Sequence, residues 1–322
     1  MTINRAELQD SARKAFGEAG LMPDAAASWQ SLTEMGWFMM TVPEAQGGLG
    51  MGREAAAVIH CELGRTLVPG PAIAHMLVVE ALAAAGQDGL LRRAMNGDLM
   101  AMSLAPPHVE DIVFAVPDAD KASYLLVDRV DHIHLVAIDQ CRVKRRESWD
   151  ETRRLFDVEL PVIDNALLIA EGAAAWELST RLQSQLLFAL AADSLGGAEA
   201  VLSMTIDYLK TRRQFDRPLA MFQALKHRVA DLKISHSAAQ ALFWNRATGT
   251  PTLAEMGALK ANCTTAYAHI AEEAIQLHGG IGLTQEHSCH LFLKRAFLNC
   301  ALGGDADFHQ ENAGRALMET LT

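Results

Sequence analysis

The chain has 322 residues, of which 50% are hydrophobic and 21% charged, and its formal net charge is −11. This length holds two or three domains at about 100–200 residues each, and an acidic surface that repels phosphate backbones argues against nucleic acid as a partner. The five cysteines (Cys61, Cys141, Cys263, Cys289, Cys300) are odd in number and include no CxxC pair, so reduced thiols are expected and neither a disulfide framework nor a metal site. The opening MTINRAELQDSARKAF has no apolar signal core, and no run of about 18 apolar residues marks a membrane span, so a cytoplasmic protein without a membrane partner is expected.

Three zones follow along the chain. Residues 1–100 are rich in Ala, Leu, Glu and Arg and predict a helical domain, interrupted by the glycine-rich QGGLGMG at Gln46–Gly52. Residues 101–165 carry short apolar bursts (DIVFAV, SYLLVD, HIHLVAID) between prolines, which predict strands of a small β domain. Residues 166–322 return to helical periodicity. Leu225, Val229, Leu232, His236, Ala239 and Phe243 recur in steps of four and three, as do Leu253, Met256, Leu259, Cys263, Tyr267, Ile270, Ala274 and Leu277. Such steps put one stripe on one helix face. Ala174–Thr211 and Glu286–Leu302 support two more helices, and the short breaks between the four predict an antiparallel four-helix bundle. The fold class is therefore mostly α with a small central β domain. His236 reads as a core histidine.

Two segments of the last zone carry possible chemistry. Tyr208–Gln223 (YLKTRRQFDRPLAMFQ) clusters Arg212, Arg213 and Arg217 near Gln214 and Gln223, and guanidinium forks suit phosphates. Gln276–Gly282 (QLHGGIG) puts glycines just past a helix, where backbone can approach a ligand closely. Alone, the first is also consistent with a solvated face and the second with a helix cap. Trp149–Phe156 (WDETRRLF) adds Asp150 and Arg153, three apart and able to pair, or Arg153 and Arg154 as an anion contact.

In combination these motifs resemble the acyl-CoA dehydrogenase family. Arg212-x-x-Phe215, then Phe222–Gln223, then Gln276-x-x-Gly279-Gly280-x-Gly282 is similar to the C-terminal domain of that family. Gly36–Gly50 (GWFMMTVPEAQGGLG) followed by ELGRTL from Glu62 looks like its N-terminal domain. The resemblance implies that the terminal bundle grips the ADP part of FAD held by a neighbouring subunit. Arg212, Gln214, Phe215 and Gln223 match one half of that clamp, and Gln276, Gly279 and Gly280 the other. It also implies an acyl-CoA substrate, an oligomer, and an electron-transfer flavoprotein as acceptor.

The catalytic carboxylate departs from the pattern. The family removes an α-proton of the thioester with a glutamate near the end of the bundle or on the long helix before the arginine loop. The matching positions are Gly303 and Leu186, and neither accepts a proton. Asp305, two residues on, is a candidate for a displaced base and also for a helix N-cap. Asp193 lies two turns beyond Leu186 and reads as a structural group. The hydroxyl that faces the flavin ring has only Ser103, in SLAPP, as counterpart, and the strand zone is shorter than is usual in the family. A retained clamp with a missing base implies one subunit of a heteromeric acyl-CoA dehydrogenase of the steroid-degradation type, whose homologous partner carries the glutamate. A self-sufficient homotetramer using Asp305 and a non-catalytic structural subunit are the alternatives.

Overall fold

The computed structural model describes residues 4–17, 20–107, 111–161 and 166–320. Helices α1 (Arg5–Gly17), α2 (Ala25–Glu34), α3 (Gly52–Arg65), α4 (Ala72–Ala84) and α5 (Asp88–Met95) form the N-terminal part. Asp24 caps α2 by accepting the Ala27 N–H at 2.9 Å, which satisfies one of the donors that a helix start leaves open. α4 is buried along nearly its whole length, from Ala72 to Val79 and again at Ala81 and Leu82. It therefore shows no stripe: a helix enclosed on every side is apolar all round. The QGGLG loop folds on itself. A Cβ on Gly48 would lie 2.1 Å from the Val42 carbonyl oxygen, so its glycine serves the turn.

The middle zone holds strands β1 (Met100–Met102), β2 (Ile112–Pro117), β3 (Tyr124–Asp128), β4 (His132–Ala137), β5 (Arg142–Arg146), β6 (Leu155–Glu159) and β7 (Leu167–Glu171). They pair as two sheets, ordered β1-β3-β4-β7 and β2-β6-β5. The three apolar bursts of the sequence are β2, β3 and β4. Along β3 the side chains alternate between faces. Leu125 and Val127 join the core with Val116 and Phe156, while Leu126 joins the helices with Leu182 and Leu186. The last strand runs to Glu171, beyond the boundary expected at 165.

The C-terminal part contains α6 (Gly172–Thr211), α7 (Gln223–Ala247), α8 (Leu253–His278), α9 (Cys289–Ala301) and α10 (Ala306–Thr320), with a two-strand hairpin, β8 (Arg213–Gln214) and β9 (Arg217–Pro218), between α6 and α7. Four helices were expected. The fifth, α10, is mostly exposed and buries few apolar groups, so it leaves no strong stripe in the sequence. Of the α7 stripe, Leu232, His236, Ala239 and Phe243 are buried, and His236 Nε2 lies 3.3 Å from the Leu195 carbonyl, as a core histidine. α6 spans 40 residues, about 60 Å at 1.5 Å per residue. It is long and apolar enough to cross a membrane, contrary to the expectation from composition, but 83% of its most apolar stretch is buried inside the molecule. It is the central core helix.

Glycines let α6 lie so deep. A Cβ on Gly64 of α3 would sit 2.0 Å from the Asp193 carbonyl oxygen, and one on Gly196 of α6 would sit 1.8 Å from that of Cys61. The two backbones therefore touch where they cross. Beside the crossing, a buried ionic cluster ties the middle and C-terminal zones together. Asp193 Oδ1 accepts from Arg153 at 2.8 Å and Arg295 at 3.2 Å, and its Oδ2 from Asn299 at 2.7 Å. Arg295 also donates to Asp150 Oδ2 at 2.7 Å. The pairing of Asp150 with Arg153 and an anion-binding Arg153 are both corrected here: each residue is buried and paired with another zone.

Candidate active site

A cavity of about 560 Å³ lies between β3, α6 and α10. Leu186 and Gly303, the two positions where a base was sought, both line it. They come from different elements more than a hundred residues apart in the chain, so their meeting on one wall supports placing the reaction chamber there. Neither brings a carboxylate.

Gly303 is held as a glycine. Its φ is +69° and that of Gly304 is +93°, a region that side chains rarely enter. The Gly303 N–H donates to the Leu104 carbonyl at 2.7 Å. A Cβ there would lie 3.1 Å from Leu190 and 3.2 Å from Leu187. The buried Lys260 ammonium fixes the same loop, donating to the Cys300 carbonyl at 2.8 Å and the Gly304 carbonyl at 2.5 Å. Burial lowers the Lys260 pKa to about 8. His309, on the first turn of α10, is buried, and burial together with the Lys260 charge lowers its pKa.

Asp305 is corrected as a candidate base. Its Oδ1 accepts the Phe308 N–H at 2.9 Å, its side chain is exposed, and it is not among the residues lining the cavity. It is the N-cap of α10. Asp193 faces the ionic cluster and not the cavity. Among the described lining residues the carboxylates are Asp128 and Glu319. Asp128 accepts from Ser179 Oγ at 2.7 Å and from the Val130 N–H at 2.8 Å. Burial raises its pKa, and those two hydrogen bonds pull against the rise. Nothing local in the sequence marked Asp128, because its role depends on the cavity. Ser103 also lines the cavity, but its hydroxyl donates to the Phe114 carbonyl at 2.7 Å and accepts the Ala105 N–H at 2.9 Å. It is bonded to the backbone of β2 and of its own turn.

The two motif segments meet at one end of the bundle. Tyr208, one turn before Arg212, donates to the His278 carbonyl at 3.3 Å and stacks on the His278 ring at 4.5 Å. His278 directly precedes Gly279. Arg212 ends α6, exposed and without an ion pair among the described residues; Gln214 lies in β8; Phe215 is 78% exposed at φ +51°, in the turn between β8 and β9. Gln223 opens α7, Gln276 sits exposed on the last turn of α8, and nothing lies within 4 Å of where a Cβ on Gly279 or Gly280 would point. Unpaired guanidinium and open backbone suit a diphosphate on the physical criteria. Arg217 instead covers the Phe222 ring at 4.0 Å. The same end gathers His278, His287 and Cys289, with ligand atoms within 4.8 Å of one another. Burial pushes the Cys289 thiol up to about 12, the Cys289 N–H donates to His287 Nδ1, and His278 Nδ1 lies 2.7 Å from the Ala274 carbonyl while its Nε2 is buried without a hydrogen-bond partner.

Comparison with known proteins agrees with this layout. Residues 3–97 match the acyl-CoA dehydrogenase N-terminal domain and residues 187–318 the acyl-CoA dehydrogenase C-terminal domain. Acyl-CoA dehydrogenase IpdE2 of Mycobacterium tuberculosis is 34% identical over 274 residues, covering 83% of this chain and 79% of the relative. The chain belongs to the acyl-CoA dehydrogenase family. IpdE2 of Mycolicibacterium smegmatis is 31% identical, covering 86% of this chain and 83% of its own. Among solved structures, the Tcur3481-Tcur3483 steroid ACAD G363A variant superposes with a TM-score of 0.85 at 25% identity, over 98% of each chain. The ChsE4-ChsE5 complex from Mycobacterium tuberculosis gives 0.87 at 22% identity, over 99% of this chain and 98% of that one, and shows the same fold. The family's members are flavin-dependent oxidoreductases acting on acyl-CoA thioesters.

Proposed function

We propose that this chain is one subunit of a hetero-oligomeric, FAD-dependent acyl-CoA dehydrogenase of steroid breakdown, and that a homologous partner supplies the catalytic glutamate. The observation that carries the reading is the pair Leu186 and Gly303, which face one cavity and are both inert. The commitment of the Ser103 hydroxyl to backbone groups of this chain agrees with a flavin ring seated in the partner and not here. The relatives support the assignment by name: the solved homologue at 25% identity is described as a steroid ACAD.

In this reading FAD supplies hydride acceptance from the β-carbon when bound. This chain's residues bind and orient it. Arg212 neutralises diphosphate charge, Gln214, Gln223 and Gln276 offer amide hydrogen bonds, Phe215 packs on the cofactor, and Gly279 and Gly280 give their backbone to it. Electrons leave to an electron-transfer flavoprotein, and the setting is the cytoplasm.

The test is expression of the chain alone and with a homologous subunit from the same genome, with flavin absorbance and dye-coupled acyl-CoA oxidation as readouts. Bound flavin and activity should need both chains, and Arg212→Ala should lower flavin retention while circular dichroism stays unchanged. Full activity from this chain alone, lost in Asp128→Asn, overturns the proposal in favour of a self-sufficient enzyme.

A further inference from the structure

We infer that His278, His287 and Cys289 form a zinc-type cation site that staples the end of α8 to the start of α9. The site stands on these residues alone and goes beyond the proposed function. Their ligand atoms lie within 4.8 Å of one another. They come from the last turn of α8, the loop after it and the first position of α9. The sequence expectation of no metal site rested on cysteine spacing, whereas two of these three donors are histidines. His290, beside Cys289, does not belong to the set.

His278 is the deciding residue. Its Nδ1 lies 2.7 Å from the Ala274 carbonyl. A carbonyl only accepts, so Nδ1 bears the ring hydrogen and Nε2 keeps a bare lone pair. That Nε2 is buried with no hydrogen-bond partner, in a side chain only 4% exposed. A buried acceptor left unsatisfied is costly. One ring nitrogen on a backbone carbonyl and the other one free is, by contrast, how histidine is held when it binds a metal. Tyr208 stacks on the ring at 4.5 Å and fixes its plane. Cys289 is free and fully buried.

A thiolate with two imidazoles suits zinc and not magnesium or calcium, which take oxygen donors. At zinc bond lengths, tetrahedral donors stand about 3.3–3.6 Å apart, so closing on the cation requires shifts of about 1 Å. His287 is half-buried, with its ring 4.3 Å from that of His278. Its Nδ1 accepts the Cys289 N–H at 3.2 Å. Ligation through either ring nitrogen gives up that one long hydrogen bond for a metal–nitrogen bond. Binding expels the Cys289 thiol proton to solvent, and the thiolate bonds the cation, whose charge holds the anion in its buried position. Three protein donors leave a fourth position for water. Lys294 on α9 is already paired with Glu151 at 3.2 Å. The loop closed by the cation runs through Gly279 and Gly280, so the staple restrains the open backbone there.

The experiment uses the untagged full chain, stripped with a chelator and dialysed against zinc, cobalt(II) or magnesium. One zinc should bind per chain and magnesium should not. Cobalt should give an intense thiolate-to-metal charge-transfer absorption together with the visible bands of a tetrahedral site. Zinc should also raise Tm, because a ligand of the folded state stabilises it. Cys289→Ala should abolish the charge-transfer absorption, and His278→Gln and His287→Gln should each weaken zinc binding at least about tenfold. Half-buried His287 gives the variant whose folding is least at risk, and circular dichroism checks it. His132→Gln, which breaks the histidine pair of β4 with rings 6.2 Å apart, should change nothing. Less than one zinc per chain, magnesium bound as well as zinc, cobalt bound without the charge-transfer absorption, or unchanged affinity in His287→Gln overturns the inference; so does loss of binding in His132→Gln. None of the three donors belongs to the clamp and no readout uses flavin, so failure here leaves the proposed function standing.

Discussion

Asp193 shows how a residue that looks catalytic in one dimension becomes structural in three. It sits on the helix that carries Leu186, yet its two oxygens are consumed by Arg153, Arg295 and Asn299, all fully buried. Two aspartates, Asp150 and Asp193, balance two arginines, so the cluster is neutral as a whole. Removing one carboxylate strands guanidinium charge away from water, which costs about 3–5 kcal/mol. Asp193→Ala should therefore lower the urea midpoint sharply, and a change within error would show that water reaches the cluster. A pH dependence follows from Asp150. Burial pushes its carboxyl up, but Arg295, the Thr152 hydroxyl and Arg153 outweigh this and leave its pKa below the ordinary value. A carboxyl depressed in the folded state stabilises above its unfolded pKa of about 3.9, and that stabilisation is lost as pH falls through the lower folded value. Urea unfolding of the wild type should weaken below about pH 4 more steeply than that of Asp150→Asn. Parallel curves for the two would remove Asp150 from the account of acid sensitivity.

At the scale of elements, the crossing of α3 and α6 decides how the N-terminal zone meets the bundle. In an isolated helix, replacing Gly64 or Gly196 with alanine would gain about 1 kcal/mol of propensity. Here the added methyl would enter the carbonyl of the facing helix, at 2.0 and 1.8 Å, and overpacking of that kind costs typically 1–3 kcal/mol or more. The net sign is destabilising, and thermal unfolding of Gly64→Ala should show a lower Tm. Gly280→Ala is the control, since open space surrounds its Cβ: Tm should hold while flavin retention by the complex falls. The sequence made some of this legible. α7 and α8 each bury one stripe, so their period was readable. β5, RVKRR, has four of its five side chains exposed and carries no apolar alternation. Gly64 could be matched to a family motif, but its partner across the crossing could not, because contact between residues 64 and 193 leaves no local trace. The clamp residues are an expectation from a family resemblance carried by two short segments; nothing local pointed to Asp128, since only the folded sheet brings the end of β3 to Ser179 and Gln183.

For the whole molecule, the exposed apolar groups argue for a neighbour. Phe215 is 78% exposed, Leu283 71% and Ile234 67%; Phe215 lies in one clamp segment and Leu283 directly follows the other, where Tyr208 and His278 join α6 to α8. Single exposed apolar residues are ordinary, but large ones gathered on functional loops mark contact surfaces, and a buried aromatic often anchors an interface. If the diphosphate is shared between subunits, the same loops must be covered by the partner, so cofactor retention and association are one event. The variant Leu283→Asp tests this without touching Arg212, Phe215, Gln276 or the core. It should fold as the wild type does by circular dichroism, yet its affinity for the partner should fall at least about a hundredfold, the scale of an interface hot spot, and flavin should be lost in step. Should the variant co-purify with its partner at full flavin content, the shared groove lies elsewhere. If instead association fails while flavin stays on this chain, the cofactor does not need a second polypeptide, and the division of labour that the inert Leu186 and Gly303 imply would have to be abandoned.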